Sequence, residues 1–270
     1  MKHINFVILF ICFFSIVGKA QNTEADILLD SDFLSKSSIN DKFINSVDYT
    51  SDGFILLSSA KQFYILGIGG IVPVFESLSG QNIESFTVTT NGILMFTSGN
   101  SLYQASENPD FTKKSDLPDS NMGITSNYSD IFVFDKMQKR DKKDYSIYQI
   151  SKDRKITKLT TVSAPVLSVF EQPKQLIFST KNMLLCVDTK TKKTYQILAL
   201  PQENNIISIV GDTVNHAFYF STENAIYRIK NNKFELITDE LGGILKYDGE
   251  GLVIFNSEKQ LIIRLRNNIL

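Results

Sequence analysis

The sequence has no tryptophan and only two histidines and two cysteines in 270 residues. Each scarcity removes a class of chemistry. One histidine, His3, and one cysteine, Cys12, sit in the first dozen positions. If that segment is removed, His216 and Cys186 remain. A single imidazole cannot build a histidine metal cluster. It leaves one candidate base for serine-type hydrolysis, in the stretch GDTVNHAFYF, where the simplest reading is a turn residue. A single thiol cannot form an internal disulfide, so stability must come from core burial. Cys186, within MLLCVD, reads as a buried small hydrophobe. Charge is balanced at −1, so no overall basic field invites nucleic acid. No stretch repeats apolar residues with the 3.6-residue period of an amphipathic helix.

The longest apolar run is N-terminal. MKH is a short basic start, INFVILFICFFSIVG follows, and Gly18 and Ala20 place small residues before Gln21. This three-part pattern predicts a signal peptide over residues 1–20, cleaved between Ala20 and Gln21. The run is shorter than the roughly 20 residues needed to span a bilayer. A lipoprotein signal would lipidate Cys12, but it is preceded by Ile11 where that signal takes a small residue. Cleavage would also remove Lys2 and Lys19 and no acid, leaving a slightly more acidic chain. The expected localisation is periplasmic or secreted.

What the sequence has in abundance is repetition. Six stretches align as hairpins: ILLSSAKQFYI, LMFTSGNSLYQ, VFDKMQKRDKKDYSIYQ, LIFSTKNMLLC, FYFSTENAIYR and LVIFNSEKQLIIR. Their first arms close on Leu57, Phe96, Phe134, Phe178, Phe220 and Phe255. Those anchors lie 35 to 44 positions apart, near the period of about 40–45 residues seen in propeller blades. A second anchor follows at Tyr64, Tyr103, Tyr148, Leu185, Tyr227 and Ile262, seven positions on in five copies and fourteen in the third. Each hairpin is preceded by an apolar strand and a turn such as TSDG, TTNG or DGEG, whose glycine supplies positive φ. A fourth strand follows the first five, as in GIVPVFE and TYQILALP. The twenty phenylalanines and ten tyrosines suit strands.

The expected fold is therefore all-β: a six-bladed β-propeller of four-stranded antiparallel blades. The blades are placed at about 43–80, 83–118, 121–162, 164–201, 205–238 and 241–266, within a single domain over 21–270. The sixth repeat lacks its fourth strand. An open ring would leave an unpaired edge, so residues 26–38, DILLDSDFLSKSS, are expected to supply a closing strand. The Gly67, Gly69 and Gly70 run lacks the following helix that a phosphate loop needs and reads as a tight turn. Tyr103, Tyr148 and Tyr227 recur at one repeat position and are expected to pack between blades.

The pattern is most legible over 206–229. It resembles six-bladed propellers of the NHL, YWTD and gluconolactonase-like group. No Tyr-Trp-Thr-Asp, Trp-Asp or kelch Gly-Gly motif is present, so the resemblance carries fold and no activity. Gluconolactonase-like enzymes imply a divalent ion, calcium for example, held by inner-strand Glu, Asn and Asp. The inner strands here offer Asn45, Asp48, Glu84, Ser126, Asn127 and Ser208, with no set repeating that arrangement. The family's Glu-Gly-Pro start is also missing. DSD (30–32) and DYTSD (48–52) lack the alternating acids of a calcium loop and read as turns.

One irregularity remains. The third hairpin tip is longer by seven residues and carries Lys136, Lys139, Arg140, Lys142 and Lys143 among Asp135, Asp141 and Asp144. It is the candidate binding element, a basic finger for an acidic protein, an anionic glycan or lipid head groups. The competing reading is a solvated loop of mixed charge. The functional expectation is an exported, monomeric binding module without a cofactor. The alternative is a metal-dependent hydrolase or lactonase using the central channel.

Overall fold

The computed structural model describes residues 25–37, 43–50, 52–67, 70–76, 81–105, 111–126, 130–212, 217–231 and 233–266. The signal segment 1–20, with Cys12 and its cleavage site, lies outside the described residues. So do His216, Asn127, Gly69 and the last residue of the expected closing segment.

The described chain starts with β1 (Ala25–Leu29) and a short helix, α1 (Ser31–Lys36). Blade 1 is β2 (Ser46–Tyr49), β3 (Ile55–Ser58), β4 (Gln62–Gly67) and β5 (Gly70–Glu76). Blade 2 is β6 (Ser85–Val88), β7 (Leu94–Ser98), β8 (Ser101–Ala105) and β9 (Phe111–Asp116). Blade 3 is β10 (Met122–Ser126), β11 (Ile131–Asp135), β12 (Tyr145–Ile150) and β13 (Ile156–Val162). Blade 4 is β14 (Ser168–Gln172), β15 (Gln175–Thr180), β16 (Met183–Asp188) and β17 (Thr194–Ala199). Blade 5 is β18 (Ser208–Asp212), β19 (Ala217–Ser221), β20 (Ile226–Lys230) and β21 (Lys233–Thr238). Among the described residues blade 6 has three strands of its own, β22 (Ile244–Tyr247), β23 (Gly251–Asn256) and β24 (Leu261–Arg266).

Each sheet has four antiparallel strands, and the sixth takes β1 as its outer member in the order β1-β24-β23-β22. The anticipated closing segment divides in two. Only its first part pairs as a strand. The Asp30 carboxylate then accepts from the Phe33 amide at 2.7 Å, capping α1. A side-chain acceptor there satisfies an amide left free at a helix start, which turns DSDFLSK from strand into helix. That helix tucks Leu34 into the core shared by blades 1 and 6.

The aromatic anchors meet as their spacing predicts. Leu57 faces Tyr64, Phe96 faces Tyr103, Phe178 faces Leu185, Phe220 faces Tyr227 and Phe255 faces Ile262. The third repeat differs: Phe134 pairs with Ile147, and Tyr148 pairs with Val133. Cross-strand partners share a face, so a one-residue shift moves a side chain to the opposite side of the sheet. Phe134 and Ile147 join the core between blades 3 and 4. Tyr148 packs on the other side, between blades 2 and 3.

Six apolar cores result, one for every junction between neighbouring sheets. In the junction of blades 1 and 2, Phe63 meets Phe86 edge-on at 5.3 Å, and Phe96 stacks on Tyr103 at 5.1 Å. Such geometries add to plain area burial. Cys186 is buried in the junction of blades 4 and 5, as read from MLLCVD.

A further regularity was not visible in the sequence. In all six sheets the outer strand carries one extra residue where it passes the second anchor: Val74, Lys114, Leu159, Ile197, Ile237 and, in β1, Leu28. A bulge sharpens the local twist of a strand pair, and here it recurs once per blade. That β1 carries it too marks this segment as a true fourth strand.

Candidate functional site

The inner strands β2, β6, β10, β14, β18 and β22 surround a central cavity of about 240 Å³. Its wall mixes Ser46, Ser85, Ser168 and Ser208 with apolar residues such as Ile124, Ile207 and Leu245, and has Glu84, Lys136 and Lys246 as charged members. The serines have a structural task. Ser85 Oγ accepts from the Ile124 amide at 3.2 Å, Ser168 Oγ from Ile209 at 3.0 Å, and Ser208 Oγ from Leu245 at 2.9 Å. Each bond runs from one blade to the next. Inner strands cannot pair with one another as a sheet around the axis, so their orphan amides need these hydroxyls.

The residues considered as metal ligands divide in the same way. Asp48 Oδ2 accepts from the Val88 amide at 3.1 Å, and its Oδ1 pairs with Lys246 at 3.0 Å. Glu84 Oε1 accepts from the Gly99 amide at 3.0 Å. Ser208 is bonded to blade 6 as above. Ser126 enters through its own amide, which donates to Thr87 Oγ1 at 3.2 Å. The Asn45 amide donates to the Ser58 carbonyl at 2.7 Å. Asn127 lies outside the described residues. Among the described residues, no three of His, Cys, Asp or Glu converge as a metal centre would require.

The five cations of the long hairpin tip do not form one displayed patch. Lys136 turns inward to the channel, where its ammonium donates to the Glu84 carbonyl at 2.5 Å. Burial pushes its pKa below the usual lysine range, against a smaller opposing pull from Glu84. Lys139 and Lys142 bend back to Asp119, on the connection that leads into blade 3, with Lys142 at 2.7 Å. Lys142 also reaches Asp135 at 2.8 Å, and Asp135 accepts from the Ser146 amide at 2.7 Å. Burial alone would raise the Asp119 pKa, but the hydrogen bonds from Lys139 and Lys142 outweigh it and hold the carboxyl well below its ordinary value. Arg140 and Lys143 are exposed. The finger is thus clasped to blade 2 and to the connection that leads into blade 3, with two of its five cations facing solvent.

The tip lies on the face of the blade connections. The Asp135 carbonyl accepts from Val166 at 2.9 Å, and Ala60 O from Ile83 and Lys181 O from Ile206 make the same link at 2.7 and 2.6 Å. Between blades 6 and 1, a side chain takes the place of the backbone. Gln260 Oε1 accepts from the Ile44 amide at 2.7 Å, and Gln260 Nε2 donates to the Ile44 carbonyl at 3.0 Å. On the other face of this junction, Asp248 is bound by Tyr49 at 3.3 Å and Arg264 at 2.6 Å. Sequence reading passed over Gln260, Lys246 and Arg264, because nothing local marks a residue whose partner lies across the ring.

No family model and no curated protein matches this sequence. Solved structures do. The fold is similar to virginiamycin B lyase from Staphylococcus aureus, with a TM-score of 0.64, 17% identity, and 85% of this chain and 82% of that chain covered. It is similar to a gluconolactonase from Xanthomonas campestris, with a TM-score of 0.68, 9% identity and coverage of 83% and 86%. It also matches the extracellular domain of a one-component system from B. thetaiotaomicron, with a TM-score of 0.56 and 14% identity, over 82% of this chain but 38% of that one. At these identities the likeness is one of architecture: the chain is a six-bladed β-propeller whose fold resembles those of virginiamycin B lyase and the gluconolactonase.

Proposed function

We propose that this protein is an exported, non-catalytic binding propeller that presents its loops to a protein or glycan partner in the cell envelope or outside the cell. Export rests on the signal pattern over residues 1–20, with cleavage before Gln21. The observation that carries the binding role is the use made of the polar groups around the axis. Ser85, Ser168, Ser208 and Asp48 are spent on bonds between blades. A hydrolase would need such groups aimed at a substrate or an ion. The extracellular propeller of B. thetaiotaomicron supports a role outside the cytoplasm by analogy of architecture alone.

The test uses the chain purified from Gln21 onward. Thermal unfolding is followed with and without calcium, and turnover is assayed on simple lactones. The proposal expects no turnover and a midpoint that does not rise with calcium. Saturable calcium stabilisation together with lactone turnover would overturn it in favour of a metal-dependent hydrolase.

A further inference from the structure

The face opposite the basic hairpin tip holds a second depression, between blades 2 and 3, of about 440 Å³. It is within the size range of small-ligand pockets, roughly 300–1,000 Å³. Its blade 2 wall includes Lys114 and Ser115 on β9 and Thr89 and Asn91 from the first turn. Its blade 3 wall includes Lys152 and Arg154 from the turn between β12 and β13. Ile93, Met95, Leu102, Ile131 and Ile150 add apolar surface.

Three observations set this groove apart. First, Lys114, Lys152 and Arg154 make no ion pair among the described residues, while the hairpin-tip lysines Lys139 and Lys142 are paired. The one carboxylate in that turn, Asp153, is turned to the Ser151 hydroxyl, which donates to it. Among the described residues no acid lines the groove. Second, Ser115 Oγ is buried there with no hydrogen-bond partner among the described residues. A buried hydroxyl without a partner loses its hydration with nothing in return. Third, the neighbouring junction is stapled where this one is open. Thr160 Oγ1 and Thr194 Oγ1 lie 2.9 Å apart across blades 3 and 4, and Lys192 reaches the Lys158 carbonyl at 3.3 Å. Among the described residues no bond joins β9 to β13.

We infer that this groove is a binding site for an anionic saccharide. The three cations from its two walls complement carboxylate or sulfate groups, and Arg154 can present two parallel donors. Ser115 and Thr89 offer partners for sugar hydroxyls. The apolar floor suits the C–H face of a sugar ring. The inference rests on the binding-module reading and adds a ligand class and a place.

Arg154 provides a substitution that removes charge without breaking the turn. Its φ is 65°, and Lys192 and Asn231 adopt 58° and 52° in the matching turns of blades 4 and 5. Glycine takes this conformation without steric cost, so Arg154→Gly is expected to keep or raise the melting temperature. Titration calorimetry would compare a uronic-acid trisaccharide, a sulfated disaccharide, neutral cellobiose and inorganic sulfate.

One or both anionic sugars should bind, more weakly as salt is raised, and at least about tenfold more tightly than cellobiose or inorganic sulfate. Whichever of the two binds more tightly identifies the preferred anion. The doubly substituted Lys152→Gln, Arg154→Gly protein should lose about tenfold or more in affinity, since bonds to charged groups are the strong ones. Equal binding of cellobiose, equal binding of bare sulfate, unchanged affinity in the double variant, or no binding of either anionic sugar would each overturn the groove. If binding fails here while a partner is captured through the hairpin-tip face, the groove alone is wrong. Turnover of a bound sugar would refute the non-catalytic reading as well.

Discussion

Leu29→Ala measures how much the ring depends on β1. Leu29 is 1% exposed and sits opposite Ile262, in the core where blade 6 meets blade 1. Removing its side chain forfeits roughly 1.5–3 kcal/mol of burial. Its neighbours there, Ile44 and Leu34 among them, are themselves buried and held by other elements. The void closes poorly, and the cavity adds to the loss. We expect a total of about 3 kcal/mol, or a fall of about 6–12 °C in melting temperature for a domain of this size. Ile27→Ala, two residues away on the same strand, is the control. Ile27 is 65% exposed, and its loss should stay within about 0.5 kcal/mol. Urea unfolding of both variants, at unchanged slope, gives the comparison. If Leu29→Ala proves as mild as Ile27→Ala, then β1 does not seal the ring and the closure described above is wrong.

Three other outcomes can be checked in the same way. In Gly211→Ala, the new Cβ would stand 1.9 Å from the Phe170 ring, so displacement of that buried ring should cost about 2 kcal/mol by thermal or urea unfolding. Lys136→Met replaces a buried ammonium with an apolar chain of similar length and should leave stability unchanged or higher, since a backbone carbonyl and the smaller pull of Glu84 do not offset the burial of that charge. Because the Lys136 pKa is lowered in the folded state, the native protein gains relative stability as pH rises toward the lysine range, and the variant should lose that alkaline rise. The Asp119 pKa is also lowered on folding, so its contribution is present above the unfolded value, roughly 3.9, and is lost as pH falls toward the folded one. Asp119→Asn should therefore flatten part of the acid limb in a pH series of melting curves, and an unchanged limb would refute the clasp.

The architecture was legible in the sequence because a propeller repeats its own local rules. The spacing of Phe96 to Tyr103, or Phe220 to Tyr227, is fixed by one hairpin, and hairpins are written in consecutive residues. Less was legible where the determining partner was distant or the parity was hidden. Phe134 reads as the partner of Tyr148 because the long tip disguises a thirteen-residue offset, Phe134 to Ile147, as one of fourteen; Tyr148 itself packs between blades 2 and 3, as its repeat position predicts. The basic finger reads as displayed charge because Asp119 and the Glu84 carbonyl, which hold it, belong to other segments. The helix α1 escaped notice because one turn and a half leaves no period to detect; its only local mark was the capping Asp30. The groove between blades 2 and 3 is silent for a similar reason. Lys114 and Arg154 are ordinary turn and edge residues until two sheets bring them to the same opening.

The pairing of β1 with β24 has a consequence for biogenesis. Asp26 and Arg266, joined at 2.8 Å across these strands, are 240 positions apart in the chain. During synthesis the N-terminal strand must wait, unmated, until nearly every other sheet has been made. Ribosome-bound fragments that stop short of residue 261 would hold a completed arc of sheets with two sticky rims. Circular permutation that fuses the two strands into one covalent hairpin would abolish the wait, and folding of the nascent chain should then proceed blade by blade with no final step delayed by distance.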